Sequence, residues 1–136
     1  MLFRSNRVGK TLNRKLRFSK EHQWASEETN GEVFVGISNY AQESLGDIVF
    51  VDVPEIGASF NQGDRLGTIE SVKTASDFYA PVTGHVVDVN KELIEAPESI
   101  NERPHEVWIV KLSVGAEEEL LALMDADAYE KFVDES

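Results

Sequence analysis

Short apolar or alternating runs, separated by turn residues, make up most of the chain beyond residue 17. Glycine, proline, asparagine and aspartate close these runs, as is typical of turns between strands. The runs predict strands over residues 32–37, 47–53, 65–71, 76–80, 85–89 and 107–112. Many short strands at even spacing favour a small β-sandwich or barrel, so we predict a mainly β fold.

Helix signals are few and lie beside or after the strands. Residues 39–45 combine good helix formers with a capping residue and end at Gly46. Residues 116–124 begin with glutamates, which suit the positive end of a helix, and 127–133 predict a second C-terminal helix. The remaining predictions are an extended segment over 18–24, a hairpin turn at Thr29-Asn30-Gly31 and a loop over 91–101 with at most a helical turn.

A weak internal repeat runs through the predicted strands. Residues 46–51 read GDIVFV and residues 84–89 read GHVVDV, so each is a glycine followed by an apolar-rich strand. The two glycines lie 84 − 46 = 38 positions apart, and Lys73 lies between them. Two similar halves that meet around a central hairpin would form a quasi-symmetric sandwich.

Composition narrows the functional classes. A chain of 136 residues with 41% hydrophobic residues fits one domain with a core. The absence of cysteine excludes disulfides and thiolate metal sites, and no apolar run is long enough to span a bilayer. Seven of the 13 basic residues lie in residues 1–20, which leaves six against 25 acids, a formal net charge of −19. Such a body repels nucleic acid and anionic membranes and favours partners with basic surfaces.

The first 16 residues have a different character from the rest. They are rich in arginine and lack acids, and on a helix of about 100° per residue the basic and apolar side chains separate. The basic side is Arg4, Arg7, Lys10 and Arg14, and the apolar side is Leu2, Val8, Leu12 and Leu16. This pattern is typical of a mitochondrial transit peptide, although a basic disordered arm would share the charge. We therefore expect a transit peptide over 1–16, cleavage within 10–17, and a location in the mitochondrial matrix.

The sequence contains no recognisable catalytic group or metal site. His22, His85 and His105 are scattered, without the spacing of a metal site or a nucleophile motif beside them. We expect them to be structural or surface residues.

Lys73 is the remaining candidate for chemistry. It lies in ESVKTASD, residues 70–77, between the strands predicted over 65–71 and 76–80. A lysine that carries an attached group must be exposed on a stiff hairpin, so that an enzyme can recognise it and the group has a defined origin. Position alone is a weak argument, because most exposed lysines are only solvated.

The residues around Lys73 fit this requirement. Ile69, Val72 and Phe78 are expected to anchor the flanks of the hairpin, and Glu70 and Asp77 supply acid on both sides. Acidic flanks help to specify the lysine to a modifying enzyme.

Longer blocks on both sides of Lys73 resemble one family. The string GDIVFVDVPEIGASFNQGDRLGTIESVKTASDFYAPVTGHVVDVN resembles the lipoyl-attachment region of the glycine cleavage system H-protein family. RFSKEHQW resembles the family's opening segment, VGISNYAQESLGDIVFVDVP follows in register, and LLALMDADAYEKFV resembles its C-terminal helix. The resemblance covers about residues 17–135.

The resemblance implies a cofactor, partners and a fold. Lipoate would be joined in amide linkage to the Lys73 ε-amine by a lipoate ligase or lipoyltransferase, with Glu70, Ser71, Val72 and Asp77 as recognition flanks. The protein would be a non-catalytic carrier that serves the P, T and L proteins of glycine cleavage and binds neither nucleic acid nor membrane. Residues 17–136 would form one lipoyl-bearing domain, a barrel-sandwich hybrid of the lipoyl/biotinyl-carrier type with C-terminal helices.

Alternatives and departures remain at this point. The alternatives are an H-like protein that relays lipoate to other enzymes, a lipoyl domain of a 2-oxoacid dehydrogenase system, and an unmodified β-domain. A biotin carrier is disfavoured because Val72 and Thr74, rather than methionines, flank Lys73. Gln23 stands where the family often has glutamate, and residues 101–108 lack its usual glycine, so the details of arm docking do not carry over.

Overall fold

The computed structural model describes residues 15–28 and 31–135. Its strands, in chain order, are β1 (Leu16–Phe18), β2 (Gln23–Glu27), β3 (Glu32–Ile37), β4 (Ile48–Asp52), β5 (Ser59–Phe60), β6 (Arg65–Ser71), β7 (Ala75–Tyr79), β8 (Gly84–Val89) and β9 (Val110–Val114). Its helices are α1 (Asn39–Leu45), α2 (Glu92–Glu95), α3 (Ser99–Glu102), α4 (Glu117–Leu121) and α5 (Ala126–Asp134). The prediction of a mainly β fold with peripheral helices is confirmed.

The strands form two antiparallel sheets. The larger has the order β1-β2-β3-β9-β8-β5, and the smaller has the order β4-β6-β7. Apolar side chains from both sheets form one buried cluster, to which β3 contributes Val33 and Val35, β6 contributes Ile69, β7 contributes Phe78 and β9 contributes Leu112. The sandwich therefore has its core between the sheets, and the β6–β7 hairpin extends from one layer.

The internal repeat corresponds to a structural repeat. In β4 the register of pairing shifts between Ile48 and Phe50, and in β8 it shifts between Val86 and Asp88. Both pairs of positions are 38 residues apart, as the repeated glycines are. Ile48 and Val86 both point into the core, with exposed fractions of 2% and 1%. The two halves therefore share a strand with a β-bulge at the same place, which supports the predicted quasi-symmetry.

A smaller cluster holds the C-terminal helix on the larger sheet. Phe18, Trp24 and Tyr129 are buried together, and the Trp24 indole donates a 2.9 Å hydrogen bond to the Pro104 carbonyl. Trp24 lies opposite Gly36 in the sheet, and a Cβ on Gly36 would lie 2.5 Å from the indole ring. Gly36 thus provides the space that the ring occupies.

Several predicted boundaries were wrong. The segment predicted as extended, residues 18–24, is part of a β1–β2 hairpin that turns at residues 19–22, because Phe18 pairs with Trp24 and His22 takes a positive φ of 76°. The predicted loop over 91–101 contains the short helices α2 and α3. The last strand begins at Val110 instead of 107, and the two-residue strand β5 was not predicted. No helix in the described part of the chain is long and apolar enough to cross a membrane.

Candidate lysine-attachment site

Lys73 lies in a tight turn between β6 and β7 that is organised by Ser71. The Ser71 amide donates to the Thr74 carbonyl at 2.7 Å, and the Ser71 hydroxyl donates to the same oxygen at 3.1 Å. The hydroxyl also accepts from the amides of Thr74 at 3.1 Å and Lys73 at 3.3 Å. These bonds fix the main chain on both sides of the lysine, so the turn is stiff while Lys73 itself is exposed.

The turn is attached to the strand beside it. The Val72 amide donates to the Asp47 carbonyl at 2.9 Å, which continues the β4–β6 pairing beyond Ile48 and Ser71. The methylene stem of Lys73 lies over Gly46, where a Cβ would be 3.2 Å from the Lys73 Cε. Gly46 has a φ of 83° and a ψ of −159°, a region that is essentially reserved for glycine. A glycine at this position therefore allows the backbone conformation and also leaves space for the lysine stem.

Asn101 of α3 holds this segment from below. Its side-chain oxygen accepts from the Ile48 amide at 2.9 Å, and its amide nitrogen donates to the Gly46 carbonyl at 2.9 Å and to the Gln42 Oε1 at 2.8 Å. Every polar group of the side chain is used, and its partners lie more than 50 positions away in sequence. No sequence pattern indicates this role, because each partner is brought near only by the fold.

The predicted flanks divide into two groups. Glu70 and Asp77 are exposed on the outer side of the three-stranded sheet, where Asp77 accepts a 3.2 Å hydrogen bond from the Thr68 hydroxyl. Ile69 and Phe78 are buried, as expected of anchors, with an exposed fraction of 1% each. The expectation that Val72 anchors the hairpin was wrong. Its side chain is 69% exposed, because its backbone pairs with Asp47 while the side chain projects from the turn.

Gln23 has a structural role in the turn between β1 and β2. It is buried, its Oε1 accepts from the Ser19 hydroxyl at 3.1 Å, and its Nε2 donates to the Glu21 carbonyl at 3.0 Å. A carboxylate here would face the Glu21 carbonyl with no proton to donate. The amide is therefore matched to this turn in a way that a glutamate would not be.

Two histidines connect the helices near this turn. His105 Nε2 accepts a 3.1 Å hydrogen bond from the Asn39 amide at the start of α1, and burial lowers the pKa of His105 to about 4. The Tyr129 hydroxyl lies 2.6 Å from His22 Nδ1 and 2.7 Å from the Ser38 hydroxyl. Burial lowers the pKa of His22, with a smaller opposing effect of Glu21, and burial raises the pKa of Tyr129. Both histidines thus have structural roles, as expected.

The site offers a nucleophilic amine and little else. Among the described residues, the Lys73 amine has no hydrogen-bond or ion-pair partner, and no group of three or more histidine, cysteine or acidic side chains is placed to hold a metal. An exposed primary amine on a fixed turn can form an amide with a carboxylic acid. The arrangement fits the attachment of a cofactor through Lys73 and does not resemble a catalytic centre.

Comparison with known proteins gives consistent matches over nearly the whole chain. The family model described as "Glycine cleavage H-protein" matches residues 16–136. The chain is 51% identical to glycine cleavage system H protein 2 of Pseudomonas putida, over 88% of this chain and 94% of that protein. It is 49% identical to the H protein of Listeria innocua, over 91% and 99% of the two chains. The crystal structure of an H protein from Mycobacterium marinum superposes with a TM-score of 0.73 at 30% identity, covering 89% of this chain and 95% of that one.

Proposed function

The chain belongs to the glycine cleavage H-protein family, and we propose that Lys73 carries the lipoyl group through which this family works. The family match over residues 16–136 identifies a non-catalytic lipoyl carrier of glycine cleavage. The observation that supports Lys73 as the attachment site is the structure of its turn. The lysine is exposed, its backbone is fixed on both sides by Ser71, and its amine is free among the described residues.

The residues around Lys73 suit an amide-linked lipoate. Gly46 leaves room for the lysine stem, and the Val72–Asp47 hydrogen bond fixes the point from which the arm extends. When attached, lipoate supplies a dithiolane that can be opened, loaded and reclosed by other enzymes. The contribution of the protein is to hold and present the arm, and tethering raises the effective concentration of the cargo at each partner.

We propose P, T and L proteins as partners, because the family acts in glycine cleavage. The carrier would take an aminomethyl group at the P protein, deliver it to the T protein and have its dithiol reoxidised by the L protein. A lipoate ligase or lipoyltransferase would modify Lys73, with Glu70, Ser71, Val72 and Asp77 as recognition flanks. Of these four flanks, Ser71 acts by shaping the turn, whereas Glu70, Val72 and Asp77 are exposed for direct contact with the enzyme.

Intact mass tests the attachment site. The parent protein and a Lys73→Arg variant are produced in lipoate-supplied cells, and each mass is measured. We expect a single lipoyl adduct on the parent protein and none on Lys73→Arg, which keeps the charge but cannot form this amide. An adduct that persists in Lys73→Arg would contradict the assignment.

Transfer assays separate the carrier role from lipoate relay. The lipoylated protein should support glycine–bicarbonate exchange with purified P protein. A chain that accepts lipoate but fails in this assay, and passes lipoate to other enzymes, would be a relay protein.

We also propose that residues 1–16 direct the chain to the mitochondrial matrix. The relatives named above are bacterial, so the support is the acid-free, arginine-rich amphipathic pattern of residues 1–16 itself. Apart from residues 15 and 16, this segment lies outside the described residues. Leu16 of β1 pairs with Ser26 of β2, so the folded domain begins at the end of this segment, within the predicted 10–17 cleavage window.

An import assay tests this localisation. The full chain is incubated with energised mitochondria, and we expect a shortened, protease-protected product. Replacing Arg4 and Arg7 with glutamate should abolish uptake. Equal uptake of both versions, or no shortening, would contradict the proposal.

A further inference from the structure

The outer face of the three-stranded sheet joins residues from three strands behind the Lys73 turn. Directly paired residues of an antiparallel sheet point to the same side. One row across the sheet is Phe50, Glu70 and Ala75, and the next is Asp52, Thr68 and Asp77. The Thr68–Asp77 hydrogen bond shows that this second row shares a side. We call these six residues the outer face.

Phe50 is unusually exposed for its position. It is 51% exposed although it lies in a paired strand, and its neighbour Val49 is equally exposed because the bulge at Ile48–Phe50 turns both outward. Val72, at the turn itself, is 69% exposed. Among the described residues, three of the seven exposed large apolar side chains thus belong to the sheet that carries Lys73 or to its turn. Phe50 on the outer face and Val72 at the turn beside it are exposed apolar side chains of the kind that contact surfaces use.

Acids lie beside Phe50 on the outer face. Asp52, Glu70 and Asp77 are exposed on the outer face, and Arg65, whose Nη1 donates to the Thr68 hydroxyl at 3.1 Å, is the basic residue that reaches it. Apart from Lys73 at its edge, the face has three negative charges and one positive charge. A complementary partner presents an apolar pocket bordered by basic side chains.

We propose that the outer face, with Phe50 as its apolar anchor, is the docking surface for the enzyme that attaches lipoate to Lys73. The inference rests on the proposed function, and it extends recognition from the local sequence around Lys73 to β4. The attaching enzyme must bring its own active site to the Lys73 Nζ, so it must cover the surface beside the turn. The P, T and L proteins act on the dithiolane at the far end of the lipoyl arm, so they can dock elsewhere.

The chemical step explains why close contact is needed. In a ligase that uses ATP, lipoate is first activated as an adenylate with release of pyrophosphate. The neutral Lys73 amine then attacks the acyl carbon, a C–N bond forms, the bond to the phosphate oxygen breaks, and AMP leaves with that electron pair while the nitrogen loses a proton. Apart from the Lys73 amine itself, no group of the carrier is needed for this step, so the contribution of the carrier is the placement of Nζ.

Binding measured without chemistry is the first test. In a Lys73→Arg background, the dissociation constant for a purified lipoate–protein ligase is measured by calorimetry at low salt. Phe50→Ser should weaken binding about tenfold, as loss of a central aromatic anchor does. Phe50→Leu should retain binding within about twofold, because it preserves an apolar contact of similar size. Leu121→Ser, which changes a 60% exposed apolar residue on α4, should have no effect.

Loading kinetics with the native lysine are the second test. With lipoate and ATP, Phe50→Ser should lower kcat/KM for adduct formation about tenfold, mainly through KM, while its unfolding midpoint in urea stays within error of the parent protein. Asp52→Asn should have a smaller effect that disappears at high salt, and Glu117→Gln on α4 should have none. Equal loading of parent and Phe50→Ser would overturn the inference.

The outcomes separate this inference from the proposed function. If the parent protein itself is not loaded at Lys73, the proposed function fails. If the parent is loaded and Phe50→Ser is loaded equally well, only the docking surface fails. If Phe50→Ser loads normally but the preloaded carrier is reoxidised slowly by dihydrolipoamide dehydrogenase, the face serves a different partner and the inference is also overturned.

Discussion

At the level of single residues, Lys73 depends on side chains that are distant in the sequence. The attachment lysine sits on a turn that Ser71 shapes locally, but the segment beneath the turn is held by Asn101. Gly46 lies between the two: the Lys73 stem passes over it on one side, and its carbonyl oxygen accepts a hydrogen bond from the Asn101 side-chain amide on the other. The placement of the lysine is therefore a tertiary property.

Replacing Gly46 with alanine should strain the backbone more than it obstructs the lysine. The added Cβ would lie 3.2 Å from the Lys73 Cε, and a flexible side chain can move by a few tenths of an ångström. The φ of 83° with a ψ of −159° is the costly feature, at about 1–3 kcal/mol of unfolding free energy. Urea unfolding measures the loss, and Gly31→Ala, at a φ of 80° in open space, is the control for the positive φ alone. Equal stability of Gly46→Ala and the parent protein would contradict this account.

Asn101→Asp should loosen the Lys73 turn. The aspartate can still accept from the Ile48 amide, but it loses both donated bonds and faces the oxygens of Gly46 and Gln42. We expect a loss of about 1–3 kcal/mol in stability and faster hydrogen exchange at the Val72 amide.

The matched control for this change is Asn61→Asp, which adds the same charge at an exposed turn. It should leave Val72 exchange unchanged. If the Val72 amide exchanges at the parent rate in Asn101→Asp, Asn101 does not support the turn.

At the level of elements, helix α1 connects the attachment site to the rest of the fold. Ser38 caps it by accepting from the Ala41 amide at 3.2 Å, and His105 accepts from the free Asn39 amide. At its other end α1 leads into Gly46. A neutral His105 is needed for the cap, because a doubly protonated ring has no acceptor.

Stability should therefore fall in mild acid as His105 is protonated. Its pKa is about 4 in the folded chain and about 6.5 when unfolded, so the unfolded state binds more protons between these values. The contribution is complete above about pH 6.5 and is lost as the pH falls towards 4. Between pH 7.5 and 5.0 the expected loss is about 2 kcal/mol in unfolding free energy from urea titrations.

His105→Gln isolates this effect. Glutamine can accept from the Asn39 amide and does not titrate, so the fall between pH 7.5 and 5.0 should shrink by most of that amount. Carboxylates protonate in both proteins and cancel in the difference. An unchanged pH dependence would show that His105 is not the group responsible.

Elements with strong local signals were predicted well, and those made by tertiary contacts were not. The ranges of α1 and β6 were predicted as observed, since a capping residue and the terminal Gly46 mark the helix and the turn residues at 61–64 mark the start of the strand. Strand β9 begins only at Val110, and just before it the Trp108 carbonyl accepts a hydrogen bond from the Asn90 side-chain amide instead of from a strand partner. Strand β5 has only two residues, too few for a periodic signal.

At the level of the whole molecule, some functional residues could be predicted from the sequence and others could not. Lys73 and its acidic flanks were found from one contiguous string of residues. Phe50 and Asn101 were not, because the first owes its exposure to a bulge and the second reaches its partners only after the sheets have packed. The quasi-symmetry, by contrast, was visible as a repeat of 38 positions, because a shared bulge follows a shared local pattern.

The charge of the whole molecule leads to a prediction about salt. Residues 21–136 have a formal net charge of −19, and the outer face adds its own three acids at the proposed contact. Screening shortens from about 10 Å at 0.1 M salt to about 3 Å at 1 M, so KM for lipoate loading should rise steadily with salt while kcat changes little. Replacing Asp52, Glu70 and Asp77 together by their amides should flatten this dependence. The control is a Glu117→Gln, Glu118→Gln double variant on α4, which removes two charges and should flatten the dependence much less per charge removed. If the two variants flatten the salt dependence equally per charge removed, the net charge steers the encounter and there is no local docking face. A KM that does not change with salt would exclude both the steering by net charge and the local docking face.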